Sequence, residues 1–282
     1  MQKMKQLLVL VLAVSGSAAS AQTPTTNPMP DGSRDMYAGL GVVSAPRYEG
    51  ADSRKVSALP VLQVQWSNGL FISGLSAGMH LSDRPTVEYG PLLTLHPGRD
   101  ESGSGRGIGV VEMSGLPSLV ARAARGNPLS GMDDIRYRLE GGGFFNYYLA
   151  PQWRLTSSVV VGSGHDRDGA RMDLGVQRLA AQVAPHHTLS FSAGVSVVNR
   201  AYNQSYFGVT EAESFASGHP EYRPGGGLKD VRLGARWNWT LSPSWMLTTH
   251  VQATRLVGNA RTSPLAERPT NVTVSTALAY RF

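Results

Sequence analysis

Val272 to Phe282 alternates strictly. Val272, Val274, Thr276, Leu278, Tyr280 and Phe282 are apolar or amphipathic, and Thr273, Ser275, Ala277, Ala279 and Arg281 between them are small or polar. A period of two places the first set on one face of a β-strand and the second on the other. The run has the length of a tilted strand that crosses a bilayer, about 9–11 residues. In a soluble sheet, a greasy strand ending in Phe would be an open edge. In a barrel, closure pairs the last strand with the first. The expectation is an all-β chain whose strands close on themselves in a membrane.

The start of the chain points to export. Lys3 and Lys5 precede an apolar run, Leu7 to Val14, and small residues end in Ala19-Ser20-Ala21. This is the pattern of a secretory signal peptide, residues 1–21, cleaved after Ala21. No later segment approaches about 18 uninterrupted apolar residues, so the remainder offers no transmembrane helix. The chain has no Cys, 32 Gly and only 16% charged residues. An exported chain without disulfides must be held by its hydrogen bonds, as a barrel is. The net charge of +6 raises nucleic acid as a partner. That is excluded, because the cations are scattered through alternating stretches and the chain is exported.

Residues 22–34 are rich in Pro, Thr and Asn without periodicity and read as a flexible lead. The barrel is expected over residues 35–282. Its strands are predicted at Met36–Val42, Val56–Trp66 with a defect at Pro60, Phe71–Met79, Val87–Leu95 and Ile135–Leu149. They continue at Trp153–Val161, Met172–Val183 with a phase slip near Arg178, Leu189–Val197, Val231–Leu241, Leu247–Ala253 and the final run. Short turns near Ser67, Pro151, His186 and Pro243 read as periplasmic. An antiparallel barrel with both termini on one side has an even strand count. One strand is therefore missing from the eleven, and Gly107–Met113 is its expected place. The prediction is an antiparallel transmembrane β-barrel of the outer membrane with twelve strands, ten being the alternative.

Aromatic residues at strand ends, on the face read as outward, make a membrane girdle: Trp66, Trp153, Trp237, Trp239, Tyr280 and Phe282, with Tyr137 and Tyr147. A β-sandwich core would account for the aromatics, but the opposite faces carry too many Arg, Asn and Gln for a dry core. On those faces lie the expected lumen residues Arg136, Arg138, Glu140, Arg154, Arg232, Arg236 and Arg281. A salt-bridged filling is one reading of them, and a small anion-preferring pore is the other. The long loop Asn199–Pro224 carries Tyr202, Tyr206, Phe207 and Tyr222 and reads as an in-folded plug or an exposed binding surface.

Catalytic and metal motifs are weak. Gly74-Leu75-Ser76-Ala77-Gly78 fits a nucleophile elbow, which needs a strand–turn–helix, and no helical pattern follows it. His80 with Ser82 has the two-residue spacing of barrel hydrolases, with no Asn after it. His165, Asp166 and Asp168 lack a fourth ligand, and His186-His187 falls at the opposite end. The chain is read as a non-enzyme with no metal and no cofactor.

Several segments resemble one family in order and spacing. They are Gly41-Val42-Val43 with Pro46, Tyr48-Glu49-Gly50 and Asp52; Ser205-Tyr206-Phe207-Gly208-Val209 with Ser217-Gly218; Thr254 to Ala260 with Ser263-Pro264; and Ala279-Tyr280-Arg281-Phe282. The chain is similar to the MipA/OmpV family of Gram-negative outer-membrane β-barrels over almost its whole length. The resemblance implies contact with outer-membrane lipid and insertion by the barrel-assembly machinery. It also implies a scaffold that binds a lytic transglycosylase and a penicillin-binding protein and so links murein cleavage to murein synthesis. Other members resemble uptake channels or adhesin-like surface antigens. Gly103–Asn127 is longer than the family pattern, and no role transfers to it.

Overall fold

The computed structural model describes residues 36–82, 84, 86–103, 111–112 and 128–282. The signal peptide, the 22–34 lead and most of Gly103–Asn127 lie outside the described residues.

The chain opens with β1 (Tyr37–Pro46) and β2 (Arg54–Gln65), followed by the short strands β3 (Leu70–Ser73) and β4 (Ser76–Met79) and by β5 (Val87–His96). A two-residue strand, β6 (Val111–Glu112), precedes β7 (Arg138–Ala150), β8 (Trp153–Ser163), β9 (Gly169–Ala184) and β10 (His187–Val198). Helices α1 (Arg200–Phe207) and α2 (Glu211–Ser217) lead to β11 (Gly227–Ser242) and β12 (Trp245–Leu256). The short helix α3 (Gly258–Arg261) and β13 (Thr270–Arg281) end the chain.

Every neighbouring pair is antiparallel, and β13 returns to β1, with Tyr37 opposite Arg281 and Ser44 opposite Val274. The final run therefore lies in the wall as the closing strand, and Phe282 donates its N–H to the Met36 carbonyl at 3.1 Å. Twelve strands make the ring, with β6 outside it.

The twelfth strand is not where parity placed it. Phe71–Met79, expected as one strand, is instead part of a hairpin, β3–β4, closed by Gly74 and Leu75 with Ser73 opposite Ser76. Gly74 has φ 62°, the geometry of a two-residue turn that takes Gly at its first position. Of Gly107–Met113, only Val111 and Glu112 are described as strand. They pair with Ala58 and Ser57 on the edge of β2 that the short hairpin leaves bare. Pro60 lies between these two patches, where that edge has no strand partner among the described residues and a missing N–H is tolerated. The phase slip near Arg178 is a bulge: Leu189 faces Ala181, and Phe191 faces Arg178.

The wall is two-faced. Leu40, Leu139, Leu233, Phe145 and Leu278 are exposed outward, and alternate positions are buried inward: Thr273, Ser275, Ala277 and Ala279 on β13. Apolar atoms facing outward around a closed ring are what lipid requires, because every backbone group is already paired within the wall. The turns at 66–69, 151–152, 185–186 and 243–244 gather at one end with Tyr37 and Phe282, and the long loops gather at the other. Short periplasmic turns and long external loops orient the barrel. Among the described residues, no helix is long and apolar enough to cross a membrane.

Trp66, Trp153, Trp239, Tyr280 and Phe282 are exposed at the short-turn end, and Trp245, not anticipated, joins them. Trp237 is half-buried, with its ring stacked on His187 at 5.5 Å, and Trp239 stacks on the same imidazole at 5.4 Å. Tyr280 packs on Trp245 at 5.1 Å. Tyr137 lies ahead of β7, at the opposite end. Removing Phe282 takes away both an interfacial anchor and the last hydrogen bond of the closing strand. The deletion is expected to lower the amount of heat-modifiable barrel in the outer membrane at least severalfold, read by gel mobility of membrane fractions. Wild-type amounts would refute this role.

Candidate functional site: the lumen and its cap

The long loops fold over the mouth. Asn199 caps α1 by accepting from the Tyr202 amide at 2.9 Å. Thr210 and Glu213 form a reciprocal capping box at the start of α2. These caps let two short helices persist where helix propensity alone would not. Tyr202, Tyr206 and Phe207 of α1 are buried with Ile135, Val198, Leu256 and Ala260. Leu129, Met132, Val209 and Leu265 form a second apolar cluster, against which Tyr48 and Tyr222 pack. Tyr222 also bonds the Asn259 carbonyl at 2.8 Å and the Thr262 hydroxyl at 2.7 Å. Of the two readings of this loop, the structure has the in-folded one. Phe215 remains fully exposed on the cap.

Below the cap, a layer of charge crosses the lumen. Lys229 contacts Glu49 at 2.5 Å and Asp230 at 3.1 Å. Arg232 contacts Asp230 at 3.3 Å and Asp173 at 2.6 Å. Arg171 contacts Asp173 and Glu140, each at 3.1 Å, and Ser196 donates to Asp173 at 2.5 Å. The chain of contacts runs from the β1–β2 loop through β11 and β9 to β7. Lys229 and Glu140 are fully buried and Arg171 nearly so. Charges stripped of water in this way persist only when each meets an opposite partner, and here the series alternates in sign.

The cap is bonded to this layer. The Tyr202 hydroxyl lies 3.4 Å from Lys229 Nζ and 3.2 Å from His96 Nε2. The Tyr206 hydroxyl is 3.0 Å from His96 Nδ1, and Arg99 donates to the Tyr206 carbonyl at 2.8 Å. Burial pushes the Tyr202 and Tyr206 phenols up, so both keep their protons for these bonds. Burial also pushes the Glu49 carboxyl up, and the Lys229 ammonium pulls it back. A cleft of about 600 Å³ at the mouth is lined by Arg47, Tyr48, Glu49, Lys55, His96 and Arg99. A second, of about 360 Å³, lies against Gly50, Gln252, Thr254 and Thr273.

Nearer the short-turn end, Arg154 is buried and bonds Glu88 at 3.1 Å and Gln177 at 2.7 Å. Tyr148 and Asn146 donate to the same Glu88, at 2.6 and 2.9 Å. Phe71, Leu92, Phe144 and Val160 fill one side, with His80 packed on Phe71 at 4.9 Å.

Of the residues expected to line the lumen, Glu140, Arg154 and Arg232 are buried within it. Arg138 is half-buried at the mouth end of β7 and donates to the Gly164 and His165 carbonyls. Arg236 is half-buried, and Arg281 is half-buried at the short-turn rim. Arg136 is different: it is exposed ahead of β7, in a segment where Ile135 bridges to Arg99 and packs into the cap. Alternation continues past the wall there, so parity does not mark where the lumen ends. Sequence reasoning missed Glu49, Arg171, Asp173, Lys229 and Asp230. Arg171 and Asp173 flank Met172 on the same face, a signal that period-two counting could have used. Nothing local distinguishes Glu49 from a solvated loop carboxylate.

The hydrolase motifs resolve into wall. Ser76 is buried at the start of β4 and bonds the Thr94 hydroxyl at 2.9 Å, and Gly74 is the hairpin turn. Ser82 donates to the Val87 carbonyl, closing a turn. His165 and His186-His187 lie at opposite ends of the barrel.

A family model described as MltA-interacting protein MipA matches residues 38–282. This chain belongs to that family. It is an outer-membrane barrel, and it is similar to a protein from Vibrio anguillarum, the outer membrane protein Omp26La. The two are 31% identical over 90 residues, which are 32% of this chain and 34% of that protein, so the match spans about a third of the relative's length. Among solved structures, a KdgM porin in complex with disordered oligogalacturonate is similar at TM-score 0.41 and 8% identity, covering 88% of this chain and 99% of that one. The COG4313 outer membrane channel from Pseudomonas putida F1 is similar at TM-score 0.40 and 11% identity, covering 90% and 100%. The MipA-family barrel differs from an open tube in its cap and charged layer, which are built from its own loops and wall.

Proposed function

We propose that this MipA-family barrel is a closed platform in the outer membrane that holds murein-cleaving and murein-synthesising enzymes at its periplasmic side. The family description, an MltA-interacting protein, supplies the partner class. The observation that carries the reading is the dry layer Glu49–Lys229–Asp230–Arg232–Asp173–Arg171–Glu140, sealed from outside by α1. A lumen crossed by buried, mutually paired charges resists solute passage, and a barrel that does not conduct retains its surfaces for anchoring.

Two measurements on the purified barrel test this. Affinity capture from periplasmic extract should retain a lytic transglycosylase and a penicillin-binding protein, and planar bilayers should show no current steps. Conductance without either enzyme would overturn the platform in favour of an uptake channel. One observation favours that second reading: Arg236 is a lumen cation with no acidic partner among the described residues.

A further inference from the structure

The carboxylates described in the lumen are engaged. Glu88 serves Arg154; Glu140 and Asp173 serve Arg171 and Arg232; Asp230 and Glu49 serve Lys229. Arg236 is left over. It makes no hydrogen bond and no ion pair with the described residues. A second cation, Arg154, acts on it electrostatically. Its side chain is half-buried on the inner face of β11, between the charged layer and the short-turn end.

The surroundings of Arg236 are small and polar. Ser190 lies opposite on β10 and His250 opposite on β12. Ser275 lies beyond His250 on β13. Directly paired residues on one face of a sheet stand about 4.5–5.5 Å apart at Cβ. Gly234, two residues back on the same face, is close-packed: a Cβ there would meet Ser192 Oγ at 2.5 Å and His250 Nε2 at 3.1 Å, so the glycine is what lets these two polar atoms lie beside Arg236's strand. His250 Nδ1 is buried with no partner. A guanidinium fork, an imidazole with an unused nitrogen and neighbouring hydroxyls are complementary to one ligand chemistry, a planar or tetrahedral oxyanion.

We propose that Arg236 and His250 form a mid-lumen site for the carboxylate or phosphate group of a small anion that enters from the short-turn end. The outer route is blocked by α1 and the charged layer. The site goes beyond the platform reading and does not depend on it. A barrel that anchors enzymes can hold the anion as a fixed counterion, and one that conducts can use it as a selectivity point.

The test is calorimetric titration of the purified full-length barrel with inorganic phosphate and with succinate, beside choline chloride as a cation control. Wild type should bind at least one of the two oxyanions and not choline. Arg236→Gln should weaken that binding at least tenfold and keep its heat-modifiable mobility, since it removes a half-buried charge that no described residue pairs. Arg236→Lys keeps the charge and loses the fork, and should bind at an intermediate level. It also serves as the variant if Arg236→Gln does not assemble. Absence of oxyanion binding by wild type, or equal binding by wild type and both variants, would overturn the site. Enzyme capture by Arg236→Gln should equal that of wild type, so a failed platform and a failed anion site give different results.

Discussion

An Asp173→Ala barrel should unfold at much lower urea than wild type. Asp173 receives Arg171 at 3.1 Å, Arg232 at 2.6 Å and Ser196 at 2.5 Å. Removing it strands two guanidinium groups in a region that water barely reaches. Breaking a buried pair from one side costs about 3–5 kcal/mol, chiefly because the orphaned charge has no solvent. The loss here should reach the top of that range, since Glu140 and Asp230 compensate Arg171 and Arg232 only in part. Heat-modifiability along a urea series reads the midpoint. A double variant, Asp173→Ala with Arg232→Met, removes one orphan and should recover part of the loss. A shift below about 1 kcal/mol in the single variant would show that water enters the layer and screens it.

Replacing residues 199–226 with a short Gly-Ser linker should turn a silent barrel into a conducting one. The geometry permits the exchange, because Val198 is already paired with Gly227 across β10 and β11. The deletion removes Tyr202 and Tyr206 from above His96 and Lys229. Water then reaches the charged layer, and paired side chains that were locked by desolvation gain solvated alternatives. Planar-bilayer recordings should go from no steps to resolved steps. Anion preference is expected, given the unpaired Arg236. Continued silence would place the seal in the charged layer itself. Current in wild type would remove the premise of the platform.

Much of the barrel was legible because lipid imposes a simple rule. Every strand must turn an apolar face outward, so period two appears wherever the wall runs, as in Val272–Phe282 and Val231–Leu241. The even strand count followed from both termini lying at one end. Where the chain departs from one strand per crossing, the rule gave no guidance. The two-residue turn of the β3–β4 hairpin flips the alternation, since Ser73 and Ser76 pair and are both buried inward, but the small residues around it hide the flip, and Phe71–Met79 reads as a single strand. The only local mark of the turn was Gly74, one of 32 glycines in the chain.

The site was far less legible. The sequence by itself determined an outward apolar face, an inward polar face, a girdle of Trp, Tyr and Phe at one rim, and a long aromatic loop between β10 and β11. It also placed Glu140, Arg154, Arg232 and Arg236 on the inner face. Only the tertiary structure decided which of those charges are neutralised and which is not. Lys229 meets Glu49 across 180 positions of sequence, and Tyr202 meets His96 across 106. Partners so far apart are brought together by ring closure and by the in-folding of α1, and neither leaves a local pattern. The same closure leaves Arg236 beside Ser190 and His250, with no carboxylate among the described residues to balance it.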